Sequence, residues 1–245
     1  MLDRGLRIVG ALGLAAAAVA LGAAAPQKPA AKPLPGRSVT NGNWNTVVRR
    51  TADDTYILGN PDAKVRLTEF ISYTCPHCAH FETEADAPLR LAFVANGKGS
   101  IEVRSFVRDP IDMTVALLTH CGPPEKFFLN HTAFLRSQAK WIAPLKDASA
   151  AQKARWSSGS FAARTRAIAD DFHFYPIMAT RGYTAQQVDK CLTDEALANR
   201  LAKATEDAAQ RLFVRGTPSF AIDGVVLSGT SDWASLRPQL AARVD

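Results

Sequence analysis

The chain has 245 residues, 47% of them hydrophobic and 21% charged, with a formal net charge of +6. That is enough apolar material for a full core in one or two domains. The basic residues are spread rather than clustered and no aromatic–basic motif accompanies them, which sets nucleic acid aside as a partner and leaves the mild positive charge as a solubility property.

Arg4 and Arg7 precede an alanine-rich apolar run over 8–25 that ends in small residues. This pattern predicts a secretory signal peptide over 1–25, cleaved near Ala24 or Ala25, and the run is short for a membrane span. A retained anchor helix is the rival reading. No cysteine follows to take a lipid, and no Arg-Arg pair marks the twin-arginine route. A leader implies an oxidising compartment, and the bacterial periplasm is the expected location. Residues 26–43, rich in Pro, Ala and basic side chains, read as a disordered linker.

Apolar runs at 44–49 and 55–58 predict a strand pair, and Gly59-Asn60-Pro61-Asp62 a turn. Over 64–73 the chain reads as a central strand. Val65, Leu67, Ile71 and Tyr73 share a parity, and Glu69 shares it too, which puts a carboxylate among apolar neighbours. Cys75-Pro76-His77-Cys78 then opens a helix over 76–96, with Pro76 suited to its first turn, Pro88 as a kink and Gly97-Lys98-Gly99 as its end. Residues 100–108 alternate as a second strand, parallel to the first because a helix joins them. A largely helical stretch over 111–211 follows. Asp112 is the expected cap of its first helix, and Phe127, Phe128, His131, Phe134, Leu135, Trp141 and Ile142 form an aromatic-rich core face with His131 at its edge. The patch 172–175 fits either core or a substrate groove. Thr184 caps a helix carrying Cys191. Beyond 212 the period returns to two: 219–222 and 225–228 flank an Asp223-Gly224 hairpin turn, and Ser231 is the expected cap of a last helix with Trp233, Leu236 and Leu240 on one face.

The chemistry concentrates at the two cysteines of the turn. Cys75 falls at a helix N-terminus, where unpaired N–H groups and the macrodipole favour an anion, and the thiolate is the reactive form of cysteine. Cys78, one turn on, is placed to attack a mixed disulfide at Cys75. A haem site would need histidine where Ala79 stands, and a zinc site would need a second close pair where Cys121 and Cys191 stand alone. A buried structural disulfide is the third rival, but two cysteines three apart at a helix start are poorly placed to staple distant chain; the preferred reading is a dithiol–disulfide exchange site, with His77 as a nearby cation when protonated, and with no metal or cofactor expected.

The stretch EFISYTCPHC at 69–78 resembles the active-site strand and turn of the DsbA family of periplasmic thiol oxidases. Gly216-Thr217-Pro218-Ser219-Phe220 resembles that family's cis-proline loop. The resemblance covers about 55–244 and implies an α/β, thioredoxin-like fold in two parts, 44–110 and 212–245, around a helical insertion at 111–211. It implies that the Thr217–Pro218 bond is cis and presents backbone to substrate, and that Glu69 matches a buried acid, with Arg104 as its candidate partner where relatives often carry lysine. Some relatives hold a second, structural disulfide in the helical segment, and on that likeness Cys121 and Cys191 are expected to pair. The implied activity is donation of the Cys75–Cys78 disulfide to reduced, unfolded secreted proteins, followed by reoxidation by a membrane partner. Relatives that trimerise use an N-terminal helical extension that residues 26–37 cannot supply, so a monomer is expected. A disulfide isomerase or reductase of the same fold, and a peptide-binding holdase, remain as alternatives.

Overall fold

The computed structural model describes residues 42–244. The leader and all but the last two residues of the expected linker lie outside them. The first apolar run divides in two. Trp44–Thr46 is a 3-10 turn, entered through Asn43, whose side chain accepts from the Asn45 N–H at 3.1 Å. Only Val48–Arg50 (β1) is a strand, paired antiparallel with Tyr56–Gly59 (β2). The turn is drawn away from the sheet because Asn45 Nδ2 donates to the Arg90 carbonyl at 3.1 Å and the Trp44 N–H to that of Ala95 at 3.3 Å.

Val65–Ile71 (β3) runs into Pro76–Pro88 (α1). Proline lacks the N–H that continues an α-helix and its ring crowds the preceding turn. Here the chain answers by widening into a π-helical segment, Leu89–Val94, which keeps Leu89, Phe93 and Val94 buried. Gly99–Ser105 (β4) starts on a glycine because a Cβ there would meet the Phe93 ring at 2.1 Å.

The helical stretch comprises Pro110–Thr119 (α2), Phe127–Arg136 (α3), Gln138–Trp141 (α4), Ala150–Ser157 (α5), Phe161–Asp171 (α6), Phe174–Ala179 (α7), Ala185–Leu192 (α8) and Glu195–Arg211 (α9). Side chains set most of these starts. Ser149 with Gln152 and Thr184 with Gln187 form reciprocal capping boxes, and Asp194 accepts from the Leu197 N–H at 2.9 Å. The cap of α2 is Asp109 rather than Asp112. Asp109 directly precedes Pro110, which occupies the first helical position, and it accepts from the Asp112 N–H at 2.8 Å. Ser219–Ile222 (β5) and Val225–Val226 (β6) follow, joined through Asp223 at φ 51° and Gly224 at φ 84°, both left-handed as a tight hairpin requires. The final helix, Trp233–Val244 (α10), is capped by Asp232, which accepts from the Ser235 N–H at 2.8 Å, and not by Ser231 one residue earlier.

Among the described residues the strands make one sheet in the order β1-β2-β4-β3-β5-β6, with β3 and β4 parallel and the other pairs antiparallel. β3 is therefore central, flanked by β4 and by β5 across the Glu69–Phe220 pairing. One face of the sheet merges with the helices into a single core. Its aromatic centre is Phe134, Trp141, Phe172 and Phe174, with Phe172 and Phe174 fully buried. The patch at 172–175 thus contributes core. The other face carries a smaller cluster of Phe70, Ala221, Val214 and Ala208 of α9.

Cys121, just beyond α2, is disulfide-bonded to Cys191 of α8, with Cα atoms 5.6 Å apart and a sequence separation of 70. Closing a loop of that length restricts the unfolded chain by ~4 kcal/mol on the chain-entropy account. Replacing both residues by serine should lower the unfolding free energy by about 2–5 kcal/mol in a denaturant titration; an unchanged midpoint would show that the bridge adds nothing.

Candidate functional site

Cys75 is the N-cap of α1 and Pro76 is its first residue, as the local sequence predicts. Both cysteines of the turn are thiols, only 2% and 1% exposed, while Pro76 and His77 stand open to solvent. The two sulfurs are held unequally. Cys75 is drawn down to about 5, first by the Cys78 S–H, then by Thr217 and by the backbone N–H groups of Cys78 and His77 at the open end of the helix. Cys78 is pushed far up by burial and by the neighbouring sulfur. The contribution of His77 is therefore its backbone N–H at the sulfur, with its imidazole directed outward.

The Thr217–Pro218 peptide is cis and lies against the dithiol. As a thiol, Cys75 donates to the Thr217 carbonyl at 3.1 Å. The Thr217 hydroxyl is buried without a hydrogen-bond partner in the dithiol, yet its presence favours the ionised form of both sulfurs. Residues 142 apart in sequence thus share one site.

Glu69 is 5% exposed in β3, and burial, reinforced by the charges of Glu82 and Asp86, pushes its carboxyl up to about 8. Arg104 is not its partner. In the parallel register Glu69 lies beside Val103 while Arg104 lies beside Phe70, so the pleat sends Arg104 to the opposite face. There it pairs with Glu102, Nη2 to Oε1 at 2.8 Å. The charges that do face Glu69 come from α1 and the segment after it: Glu82, Asp86 and Arg90 border a cavity of about 20 Å³ beside it, together with His131 of α3. That is room for one water among polar groups.

His131 is interior, 2% exposed, and not at the edge of the core as expected. Its Nδ1 lies 3.0 Å from the Tyr73 hydroxyl and its Nε2 3.6 Å from Glu82, so it joins α1 to α3 and to the turn. The residues between β3 and Cys75 are fastened throughout by the helical stretch. The Tyr73 N–H donates to Asp112 Oδ1 at 2.7 Å, the Thr74 hydroxyl donates to Asp109 Oδ2 at 2.7 Å, and Arg108 Nε donates to the Ser72 hydroxyl at 3.0 Å. Gln138 Nε2 donates to the Tyr73 and Cys75 carbonyls at 2.6 and 2.8 Å. Glu82 carried a sequence signal, since it stands one helical turn after Cys78 on the buried face. Gln138 carried none. Among the described residues no group of His, Cys, Asp and Glu could hold a metal ion, and no helix is long and apolar enough to cross a membrane.

A dithiol at a helix N-terminus, next to a parallel strand pair and facing a cis-proline loop, defines a thioredoxin-type redox fold. The family model described as thioredoxin matches residues 51–242, and the chain belongs to that family, with a DsbA-like fold. It is similar to a solved protein-disulfide isomerase from Novosphingobium aromaticivorans, at 59% identity and a TM-score of 0.77 over 80% of this chain and all of that one. The fold is shared with α-DsbA1 of Wolbachia pipientis, at 20% identity and a TM-score of 0.62 over 77% of this chain and 89% of that one. A curated relative from Rickettsia bellii, provisionally named a protein-disulfide oxidoreductase, is 28% identical over 69% of this chain and 57% of its own length. The chain thus spans a little over half the length of the curated relatives it matches.

A thiol depressed from its ordinary 9.0 to about 5 stabilises the reduced fold fully above the ordinary value, and that contribution is lost as pH falls through about 5. The stability of the reduced protein over the oxidised one should therefore grow between about pH 5 and 9. Cys78→Ala removes the leading donor, so the thiolate absorbance midpoint of Cys75 should rise; an unmoved midpoint would leave Thr217 and the N–H groups as the cause. Glu69 has the opposite sign: raised from 4.5 to about 8, it contributes below the lower value and loses that contribution as pH rises through the upper one. Glu69→Gln removes this loss, so the melting-temperature advantage of the variant should increase from pH 5 to 8 and then level off. An advantage independent of pH would show that Glu69 does not titrate in that window.

Proposed function

We propose that this protein is a thiol:disulfide oxidoreductase of an oxidising compartment, expected to be the periplasm, that donates a Cys75–Cys78 disulfide to reduced, unfolded secreted proteins. The observation that carries this reading is the inequality of the two sulfurs: a Cys75 thiolate favoured to about 5 beside a Cys78 thiol held neutral by burial. A dithiol stabilised as a thiolate is a good leaving group and makes its disulfide a strong oxidant.

In the exchange, a client thiolate attacks Cys75 Sγ and breaks the Cys75–Cys78 bond. Cys78 leaves with the electron pair and takes up a proton. A second client thiolate then attacks the client sulfur of the mixed disulfide and expels Cys75 as the stabilised thiolate. The client is oxidised by two electrons and the protein reduced by two. We assign Glu69 the part of a buried proton store near this step, since it retains its proton up to about pH 8. The backbone of Thr217, beside Cys75, is assigned to pair with an extended client chain, a mode that needs no particular side chain. Reoxidation is assigned to a membrane redox partner, and the working unit to a monomer. Disulfide isomerisation is the second reading, favoured by the name of the solved protein that is 59% identical.

The test is to present the oxidised protein with a reduced, unfolded disulfide protein and, separately, the reduced protein with a wrongly bridged one. Rapid stoichiometric oxidation in the first arm, with little reshuffling in the second, is the expected result. Reshuffling without oxidation would favour the isomerase, and activity in neither arm would overturn both readings and leave the holdase. Cys75→Ser should abolish exchange, and Cys78→Ser, given the wrongly bridged client, should accumulate mixed disulfides in which Cys75 has attacked the client disulfide and displaced one client thiolate.

A further inference from the structure

The turn that delivers Cys75 to α1 is built from residues 72–75, and its backbone is held from outside. Gln138, at the start of α4 and only 4% exposed, reaches it with one amide group. That group donates to the Tyr73 carbonyl at 2.6 Å and to the Cys75 carbonyl at 2.8 Å. Both partners are acceptors, so only the NH2 end of the side chain fits there, and both of its hydrogens are spent. The Cys75 carbonyl is also the first acceptor of the helix, taking the Ala79 N–H at 3.3 Å. A single buried side chain thus grips the peptide on either side of Thr74 and the residue that caps the helix.

We propose that Gln138 is a positioning residue for Cys75, fixing the N-cap geometry through which the sulfur meets the N–H groups of the first helical turn. Cys75 has extended backbone, φ −86° and ψ 117°, and its own side chain makes no capping bond. The Cys75 N–H donates to the Ser72 carbonyl at 3.2 Å, but its side chain adds no tie to the helix of the kind Ser, Thr, Asp or Asn at an N-cap would make. The tie is supplied instead by Gln138 from 63 residues away on the carbonyl side and by Asp112 on the Tyr73 N–H. The sulfur is not used as a capping acceptor of the usual kind, while its backbone is fixed. Backbone N–H groups favour an anion steeply with distance and angle, so loosening the Cys75 carbonyl should weaken them at the sulfur.

The inference rests on the exchange reading for its functional weight, but the thiolate titration that tests it needs no client. In Gln138→Met, similar in volume and without donors, the absorbance midpoint of Cys75 in the reduced, folded protein should rise by about one pH unit, and alkylation at about pH 4, below both midpoints, should slow about tenfold. Gln138→Asn, one methylene too short to reach both carbonyls, is the milder version and is read in the same way should Gln138→Met fail to accumulate folded. Asn130→Leu is the control for plain destabilisation. Asn130 is buried in α3 and donates to the Thr119 and Cys121 carbonyls, away from the turn, so its loss should lower the melting temperature and leave the Cys75 midpoint at the parent value. Midpoint and alkylation rate within twofold of the parent in the folded Gln138 variant would overturn the proposal, as would an equal shift in Asn130→Leu. If the parent fails to exchange disulfides, the functional reading falls by itself; if the parent exchanges and the Gln138 variants match it, only the positioning role falls.

Discussion

The structure depends on how the chain enters α1. A helix begins with N–H groups that no carbonyl of its own can satisfy, and here the atom set against them is a sulfur. With the N–H groups of His77 and Cys78, the Cys78 thiol and Thr217 all favouring charge on Cys75, the anion belongs to one cysteine and the proton to the other. Under the proposed exchange, that division would make Cys75 the sulfur that a client attacks. It also leaves the helix with a cap whose side chain makes no capping bond, so the backbone of that cap is held by other groups.

The helical stretch between β4 and β5 meets that requirement. It surrounds Tyr73, whose N–H, carbonyl and hydroxyl are bound from α2, α4 and α3 respectively. These are buried polar contacts, each of which would be expensive to leave half-made, and together they tie the Cys75 turn to the helices. Asp112 illustrates the balance. Burial pushes its carboxyl up to about 7, against the hydrogen bonds from the Tyr73 and Arg108 backbone that favour the charged form. The helical segment is thereby part of the site as well as a lid of apolar core beside it.

Beneath the turn, Glu69, Glu82, Asp86, Arg90 and His131 make a second polar region around a small cavity. Its two central carboxyls differ in their surroundings. Glu82 is held low against the penalty of its own burial by His131 and Arg136, whereas Glu69 gains little from Arg90 and is held high. Two acids on adjoining elements are thus driven apart by burial and by partners, so that one keeps a proton that the other gives up.

Much of this was legible in the sequence because it is local. The parity of Val65, Leu67, Glu69 and Ile71, the proline after Cys75, the capping box begun by Thr184 and the Asp223-Gly224 turn act over a few residues, and their physics is complete within the window in which they are read. The same local logic misjudged Asp112 and Ser231 by a few residues, because adjacent polar side chains compete for one cap and the packing of the helix chooses between them. What no window contains is register and long-range closure. Whether Glu69 meets Arg104 or Val103 is decided by how β3 slides against β4, and a step of one residue reverses every side chain. Gln138 and His131 carry no mark of their roles, since a buried amide and a buried imidazole are specified only by the carbonyls and the hydroxyl that folding brings to them. The amino-acid sequence by itself determined where the Cys-Pro-His-Cys turn lies and that it opens a helix; the tertiary structure alone decided what holds Cys75 in place, because those contacts join residues far apart in the chain.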